Sequence, residues 1–481
     1  MAQTPMNLLY LFTDQHSKFV TGCYGNPYVY TPNLDRLAGC GVRFTNAYCN
    51  NPICVPSRAS MSIGDYGFRH SYWDNSFPYA AKEDSWGTRL VENGYPVTTI
   101  GKLHYKDAES TASGFPDQRI PLHVRDGIGD LTHSIRDGTM KRPALRQVVL
   151  DAGPGDSDYI HYDRKVAQLA AEFLTGEGKA SKKPFCLFVG FVCPHFPWKV
   201  PPEIMKRYEP YEHLPRPIQW DAGERPMHPA IVKHRRELFL EEMFSEEEMR
   251  QAVAAYYGMT TFVDSQIGIV LDALKAAGLE ENTRIIYTDD HGDSVGDHGL
   301  FFKHTMYEGS VGIPMLMAGP DLPQGITVDT CVSLLDIFPT VLDNFGLVPG
   351  EADRSLPGKS LFRVIGGDRE ERPIFAESHC IGFDDSVFML RYRQYKYVYY
   401  AGGYEPQLFD LAADPHECRD LAGDPAYQEV RRMLDAELKK IADPEALSAR
   451  AKQEQWDHMM AMGGKERAMG QLMAYSPTPK V

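Results

Sequence analysis

Two hydrophobic spacings alternate along this chain. Asn7-Leu-Leu-Tyr-Leu-Phe-Thr13 is a short apolar, β-prone run that ends on Asp14, and it predicts a buried strand. Thr31-Pro32-Asn33-Leu34-Asp35-Arg36-Leu37-Ala38 follows with a cap, an early proline and helical apolar spacing. Residues 97–100, 185–192 and 284–288 repeat the strand pattern, the last again ending on acidic residues, and 59–63 can continue a helix. Ser245-Glu-Glu-Glu248 is a capping box opening a long helix. Its apolar positions run from Ala252 through Tyr256, Met259, Val263, Ile267 and Val270 to Leu274, with Gly278 as the stop. Strands alternating with helices predict an α/β fold, a mostly parallel sheet sandwiched by helices. Ligands bind such sheets beyond the carboxyl ends of the strands, so Asp14 and Asp290 are expected to wall one site.

Residues 120–160 and 200–245 are rich in proline, glycine, histidine and charge and lack either period, so they are expected as loops over the sheet. After Pro373 the pattern shortens. Phe388-Met-Leu-Arg-Tyr-Arg-Gln-Tyr-Lys-Tyr-Val-Tyr-Tyr400, broken by Gly402-Gly403 and followed by a helical stretch at 427–441, predicts a small antiparallel sheet with one helix. The expected division is a main domain at 1–373, a small α+β unit at 374–445 and a tail at 446–481. Five methionines (459, 460, 462, 469 and 473) give the tail a composition suited to packing on an irregular surface.

With 481 residues, 43% hydrophobic and 24% charged, the chain can bury a large core, which excludes disorder and fibres. Its 50 Lys and Arg against 65 Asp and Glu leave a charge of −15, which argues against nucleic acid or an anionic membrane as partner. No apolar run reaches the roughly 18 residues of a membrane span. Residues 1–5 lack a basic start and apolar stretch, so a cytoplasmic location is expected. Nine scattered cysteines without CxxC pairs argue against a disulfide framework or cysteine zinc site.

Chemistry concentrates in five places. Cys54-Val55-Pro56-Ser57-Arg58 puts a cysteine near a helix N-terminus, where free N–H groups favour an anion, with Arg58 one turn on. Gly101-Lys102-Leu103-His104 follows a short strand. Alternation would place Lys102 and His104 on the same side, one to hold a charged oxygen and one to move a proton. Asp289-Asp290-His291-Gly292-Asp293 sets two acids side by side at a strand end, where they repel unless a cation compensates. Asp14-Gln15 offers oxygen ligands after the first strand, and Pro194-His195-Phe196-Pro197 ends another. Asp289, Asp293 and Asp297 read as turn or supporting residues, and His298 and His304 as rim or hydrogen-bonding histidines rather than ligands.

The Cys-x-Pro-Ser-Arg pentapeptide and the Gly-Lys-x-His string resemble the sulfatases of the alkaline phosphatase superfamily. The resemblance spans nearly the whole chain, including Tyr395-Lys-Tyr397 and Leu408-Phe-Asp-Leu-Ala-Ala-Asp-Pro-His-Glu417 in the small unit. It implies an alkaline-phosphatase-like fold and hydrolysis of small organic sulfate monoesters. The nucleophile would be a formylglycine (3-oxoalanine) made from Cys54 by a maturation enzyme that reads the pentapeptide. It further implies one divalent metal, Ca2+ or alternatively Mn2+, held by Asp14, Gln15, residue 54, Asp290 and His291. Lys102 and Lys303 would face the sulfuryl oxygens beside Arg58, His195 would protonate the leaving alcohol, and His104 would help expel sulfate. Asn75 would hydrogen-bond the transferred group. Most sulfatases have two successive aspartates where this chain has Asp14-Gln15, and often an asparagine at the place of His291. The Asp-Gln and Asp-His pairs resemble choline sulfatases and phosphonate monoester hydrolases, so a phosphonate monoester or phosphodiester hydrolase is the alternative. Choline sulfatases use a C-terminal tail at a subunit interface, which implies a homo-oligomer here. The alcohol half is expected to be lined by residues of 115–161 and 196–230.

Overall fold

The structure is a computed structural model that describes residues 4–470 and 476–480; Met473 lies outside them. Among these residues the large sheet has eight strands. From edge to edge they are Ile326–Val328, Gly41–Phe44, Met315–Ala318, Thr283–Asp289, Asn7–Asp14, Cys186–Pro194, Val97–Lys102 and Asp117–Leu122. All pair parallel except Met315–Ala318, which is antiparallel to both neighbours. Register places Thr13 opposite Asp289 and Asp14 opposite Pro194, so three strands deliver their last residues to one edge.

A strand covered on both faces sends successive side chains into two cores. Leu9 and Leu11 pack under the helices Asp158–Phe173 and Glu246–Ala276, while Leu8, Tyr10 and Phe12 meet Cys54–Ile63, Trp86–Glu92 and Ile337–Asn344. The long helix starts at its expected capping box: Ser245 Oγ accepts the Glu248 N–H, and the Glu248 carboxylate accepts the Ser245 N–H. It runs 31 residues, and Gly278 follows at φ 71°. Gly101 has φ 100°, and a Cβ there would lie 2.1 Å from the Gly190 carbonyl. Only glycine lets the two strands close up where Lys102 leaves the sheet.

One expectation needs correction. The segments 120–160 and 200–245 are not all loop: Pro143–Leu150 and Pro229–Glu237 are helices, and Asp158–Phe173 begins inside the first. The two short helices open on proline, whose fixed φ suits a first turn, but they are too brief to show a period. The 388–400 run is two strands, Val387–Tyr392 and Tyr395–Tyr400, because Arg393 takes φ 55° and turns the chain before Gly402. These strands join Ile374–Ser378 and Gln407–Asp410 in a four-stranded antiparallel sheet backed by the helix Gln428–Ile441. No helix among the described residues is long and apolar enough to cross a membrane.

The tail folds back as the helices Pro444–Ala461 and Gly464–Gly470. Buried Gln455 donates to Asp74 Oδ2 at 2.7 Å and to the His379 carbonyl at 2.6 Å, and accepts from Arg136 at 3.0 Å. A second tie is a buried charge cluster. Lys396 of the small sheet lies 2.8 Å from both Glu308 and Glu417, and Glu308 also meets Lys18. Replacing one partner of such a cluster strands the others without water. Lys396→Met is therefore expected to destabilise the fold by about 3–5 kcal/mol in chemical denaturation. A loss under about 1 kcal/mol would mean that the cluster contributes no more than a surface pair.

Candidate active site

Cys54 opens the helix Cys54–Ile63, every residue of which is buried. The N-cap residue, Ile53, has no side chain that could cap, and the first-turn N–H of Val55 is taken instead by Asn75 Oδ1 at 3.1 Å. That bond orients the Asn75 amide with its NH2 group as the remaining donor. Arg58, one turn on, binds four groups at once. It donates to Asp290 Oδ2 at 2.7 Å, Asp14 Oδ2 at 3.2 Å, and the carbonyls of Lys102 and Thr13 at 3.0 Å each. One guanidinium thereby stitches three strand ends to the helix that carries Cys54.

Around Cys54 Sγ stand Lys303 Nζ at 3.1 Å, His291 Nε2 at 3.2 Å and Asp14 Oδ1 at 3.6 Å. Lys102 Nζ lies 2.5 Å from Asp14 Oδ2, and His195 Nε2 4.0 Å from Asp14 Oδ1. Burial, with Asp14 adding to it, pushes the Cys54 thiol up to about 12 against the pull of Lys303. An unmodified Cys54 is therefore a neutral thiol and a weak nucleophile at neutral pH. Burial also works to raise Asp14, but Lys102, His195, Lys303 and Arg58 overcome it and hold the carboxyl well below the usual range. Asp290 is pushed up to about 6 by burial and by Asp14, and Asp289 is raised by burial and by Asp290.

Two carboxyls raised by burial and then by a neighbouring acid, at one buried strand end, make an environment that a metal ion fits. Ligand atoms of Asp14, Cys54, Asp290 and His291 all lie within 4.8 Å of one another. His291 Nδ1 faces the Gly292 carbonyl at 3.1 Å, which fixes the tautomer and leaves the Nε2 lone pair toward the cluster. Gln15 Nε2 donates to Asp293 Oδ2 at 2.5 Å while Oε1 accepts from Lys303 at 2.8 Å, so Asp293 sets which end of the amide faces the site. Asp289 accepts from Thr13 Oγ1 and from the His291 N–H, a supporting role.

Residues 6–347 match the family model described as Sulfatase, and 296–444 match that described as N-sulphoglucosamine sulphohydrolase, C-terminal. The chain belongs to the sulfatase family, within the alkaline phosphatase superfamily. It is 30% identical to arylsulfatase K of Bos taurus, over 92% of this chain and 83% of the relative. It is 28% identical to the choline-sulfatase of Rhizobium meliloti (strain 1021), over 96% and 95%. The phosphonate monoester hydrolase of Agrobacterium radiobacter shares the fold, with TM-score 0.69, 24% identity and coverage of 93% and 96%. This sulfatase is accordingly a sulfuric ester hydrolase acting on sulfate monoesters.

Of the residues named from the sequence, Cys54, Asn75, Lys102, His104, His195 and Lys303 line one cleft of about 900 Å³, counting the part open to solvent, while Asp14, Asp290 and His291 cluster with Cys54, Arg58 bonds the Lys102 carbonyl and Gln15 bonds Lys303. Lys102 and His104 both reach the cleft, but not as alternate residues of one strand. The strand ends at Lys102, and His104 turns in at φ 60°, its Nε2 3.2 Å from Ser476 Oγ. His298 is buried away from the cleft against Tyr307, with Nδ1 2.7 Å from Gln219 Oε1, whereas His304 lines the cleft. The outer wall comes from Val124, Arg125, Gly129, Asp130, His133, Arg142, Leu145 and Tyr159, as expected of 115–161. From 196–230 only Phe196 contributes; Phe302, Ile381, Ser476 and Pro477 take the place assigned to that segment. Residues after Trp198 are instead carried off into the helix Pro202–Met205, which packs on Glu246–Ala276.

Because Asp293 sets the Gln15 amide, Asp293→Asn places a second donor against it and is expected to turn it over. Metal affinity of the sulfatase, read by chelator competition, is expected to fall about 10–100-fold. Unchanged affinity would show that Gln15 is not oriented in this way.

Proposed function

We propose that residue 54 works as formylglycine, made from Cys54 by a maturation enzyme, and that Asp14, Gln15, Asp290, His291 and residue 54 hold one divalent cation. The observation that carries this reading is the set around Cys54 Sγ: a lysine, an imidazole lone pair and a carboxylate within 3.6 Å at a helix N-terminus. Calcium suits the carboxylate and amide oxygens, while an imidazole ligand moves the preference toward manganese. When bound, the cation supplies positive charge that favours the ionised nucleophile.

Hydrated, residue 54 offers one hydroxyl to attack sulfur. The second lets the carbonyl re-form as sulfate leaves. Lys303 and Lys102 stand where sulfuryl oxygens gather charge, and the Asn75 NH2 is a further donor to the transferred group. His195 shares its Nδ1–H with the Phe196 carbonyl at 2.7 Å, which leaves Nε2 for the leaving oxygen. Burial, then Lys303, hold that imidazole neutral without substrate. An anionic ester beside it raises its proton affinity and prepares it as an acid. His104 lines the same cleft as Lys102, where it can take the proton of the second hydroxyl. A reducing compartment such as the cytoplasm suits the exposed thiols Cys40 and Cys418.

Gln15 and His291 favour a second reading, hydrolysis of phosphonate monoesters or phosphodiesters, since they leave the cation less neutralised than two aspartates and an asparagine would. The intact protein is expected to weigh about 18 Da less than its encoded chain, a covalent change at one residue. Cys54→Ala is expected to lose the mass change and essentially all turnover. Retention of a tenth of the activity would remove residue 54 from the mechanism. On paired substrates, a nitrophenyl sulfate is expected to outrun the matching phenylphosphonate, and the reverse order would establish the second reading.

The proton donor has its own signature. His195→Ala is expected to slow hydrolysis of an alkyl or sugar sulfate by about 10²–10⁴-fold but that of a nitrophenyl sulfate far less, because nitrophenolate leaves unaided. Equal losses on both would make His195 a sulfate-binding residue.

A further inference from the structure

The outer wall of the cleft is basic although the molecule as a whole carries −15. Arg125 and Arg142 line it, together with His133, and Asp130 is the acid among them. Asp130 is already engaged: Arg142 Nη2 lies 3.0 Å from its Oδ2 and His133 Nε2 3.5 Å from the same oxygen. Burial works to raise its carboxyl, but Arg142 and His133 bring it down to about 2, so it is ionised and matched. Arg125 Nε lies 3.5 Å from Asp126 at the surface.

Two groups are left over. Arg142 Nε and His133 Nδ1 have no hydrogen-bond partner among the described residues, and their side chains are each only 7% exposed. Burial brings His133 down to about 3, so its imidazole is neutral and gains a second N–H only when an anion beside it draws a proton. Buried groups of this kind are ordinarily paired, so their lack of a partner beside a cleft points to a ligand. The cluster is also near the reacting centre. The His133 ring is 6.2 Å from that of His304, whose neighbour Lys303 touches Cys54 Sγ. The loop is anchored there, since the Asp130 N–H donates to the carbonyl of Asn75, whose side chain holds the helix of Cys54. A quaternary ammonium would find no free carboxylate in this wall, and the aromatic rings Tyr159 and Phe196 lie on the His195 side.

We propose that Asp130, His133 and Arg142 form a subsite for a second anionic group, a carboxylate or another sulfate, carried by the alcohol half of the substrate. The ester to be cleaved then lies at Cys54 while the second anion replaces solvent at Arg142 and His133. This subsite rests on the reading of the centre as a sulfate ester hydrolase and names the class of alcohol it takes.

The test uses the matured, metal-loaded protein and four probes. They are a nitrophenyl sulfate, choline sulfate, and one sulfated pyranoside bearing either a neutral hydroxymethyl group or a carboxylate at the exocyclic carbon. The carboxylated pyranoside is expected to exceed its neutral twin in kcat/KM by about tenfold or more, the scale of a charge-assisted hydrogen bond, and to exceed choline sulfate further. Arg142→Gln is expected to collapse the ratio between the twins toward one, and Arg142→Lys to restore part of it. Equal or faster turnover of the neutral twin or of choline sulfate by the unmutated protein would overturn the subsite, a result that does not depend on how the variants fold. Failure to cleave any of the four would overturn the reading of the centre, and the subsite with it.

Discussion

The structure is organised around buried negative charge at the ends of two neighbouring strands. Asp14, Asp289 and Asp290 are fully buried, where ordinary solvation is lost, and Asp289 and Asp290 accept from Thr13 Oγ1 and the Gln15 N–H on either side of Asp14. Arg58, Lys102 and Lys303 are brought from three different segments to offset them, each also buried. The chain bends to achieve this: Gln15, His104, Phe302 and His304 all take positive φ, at 68°, 60°, 71° and 81°. Left-handed backbone at non-glycine residues is unfavourable by about 1–3 kcal/mol each and clusters where surrounding structure forces it. Asp289 and Asp290 stay raised, by burial first and by a neighbouring acid second, and a cation bound among them would relieve both effects.

What could be read from the sequence follows from how local each signal is. The strand over residues 7–13 and the helix after Ser245 announce themselves within a dozen residues, and Cys54, Arg58, Lys102 and Asp290 lie inside short strings whose chemistry is unusual. His133 and Arg142 could be placed only as part of 115–161 and not singled out, because nothing near them in the chain distinguishes a cleft-lining residue from a surface one. Only their placement against His304 and Asp130 does so. Ser476 was hidden for the same reason, since its contact with His104 spans most of the chain. The geometry of His104 was misjudged where strand alternation was extended past its end; Gly101 at φ 100° had already broken the period. Within 388–400 the position of the turn carries no mark in the sequence, because Arg393-Gln394 holds no glycine, proline or asparagine.

The small sheet and the tail are tied into the catalytic domain by polar contacts that reach the site indirectly. Gln455 binds Asp74, the neighbour of Asn75, and Lys396 binds Glu308 shortly after Lys303. Polar ties of this kind are directional and tolerate little slippage, so they fix register between units more strictly than an apolar contact of equal area.

The burial of the whole helix Cys54–Ile63 also fixes an order of events in the life of the chain. Cys54 and Arg58 are each about 1% exposed and locked to three strands, so an enzyme that must grip residues 54–58 as a peptide finds nothing to hold once the sheet has closed. If Cys54 is converted as proposed, its oxidation becomes a race against folding, and the converted fraction depends on how long the nascent segment stays extended. Mutations far from the cleft that speed collapse of the central strands would leave more chains permanently inert while making each of them no less stable.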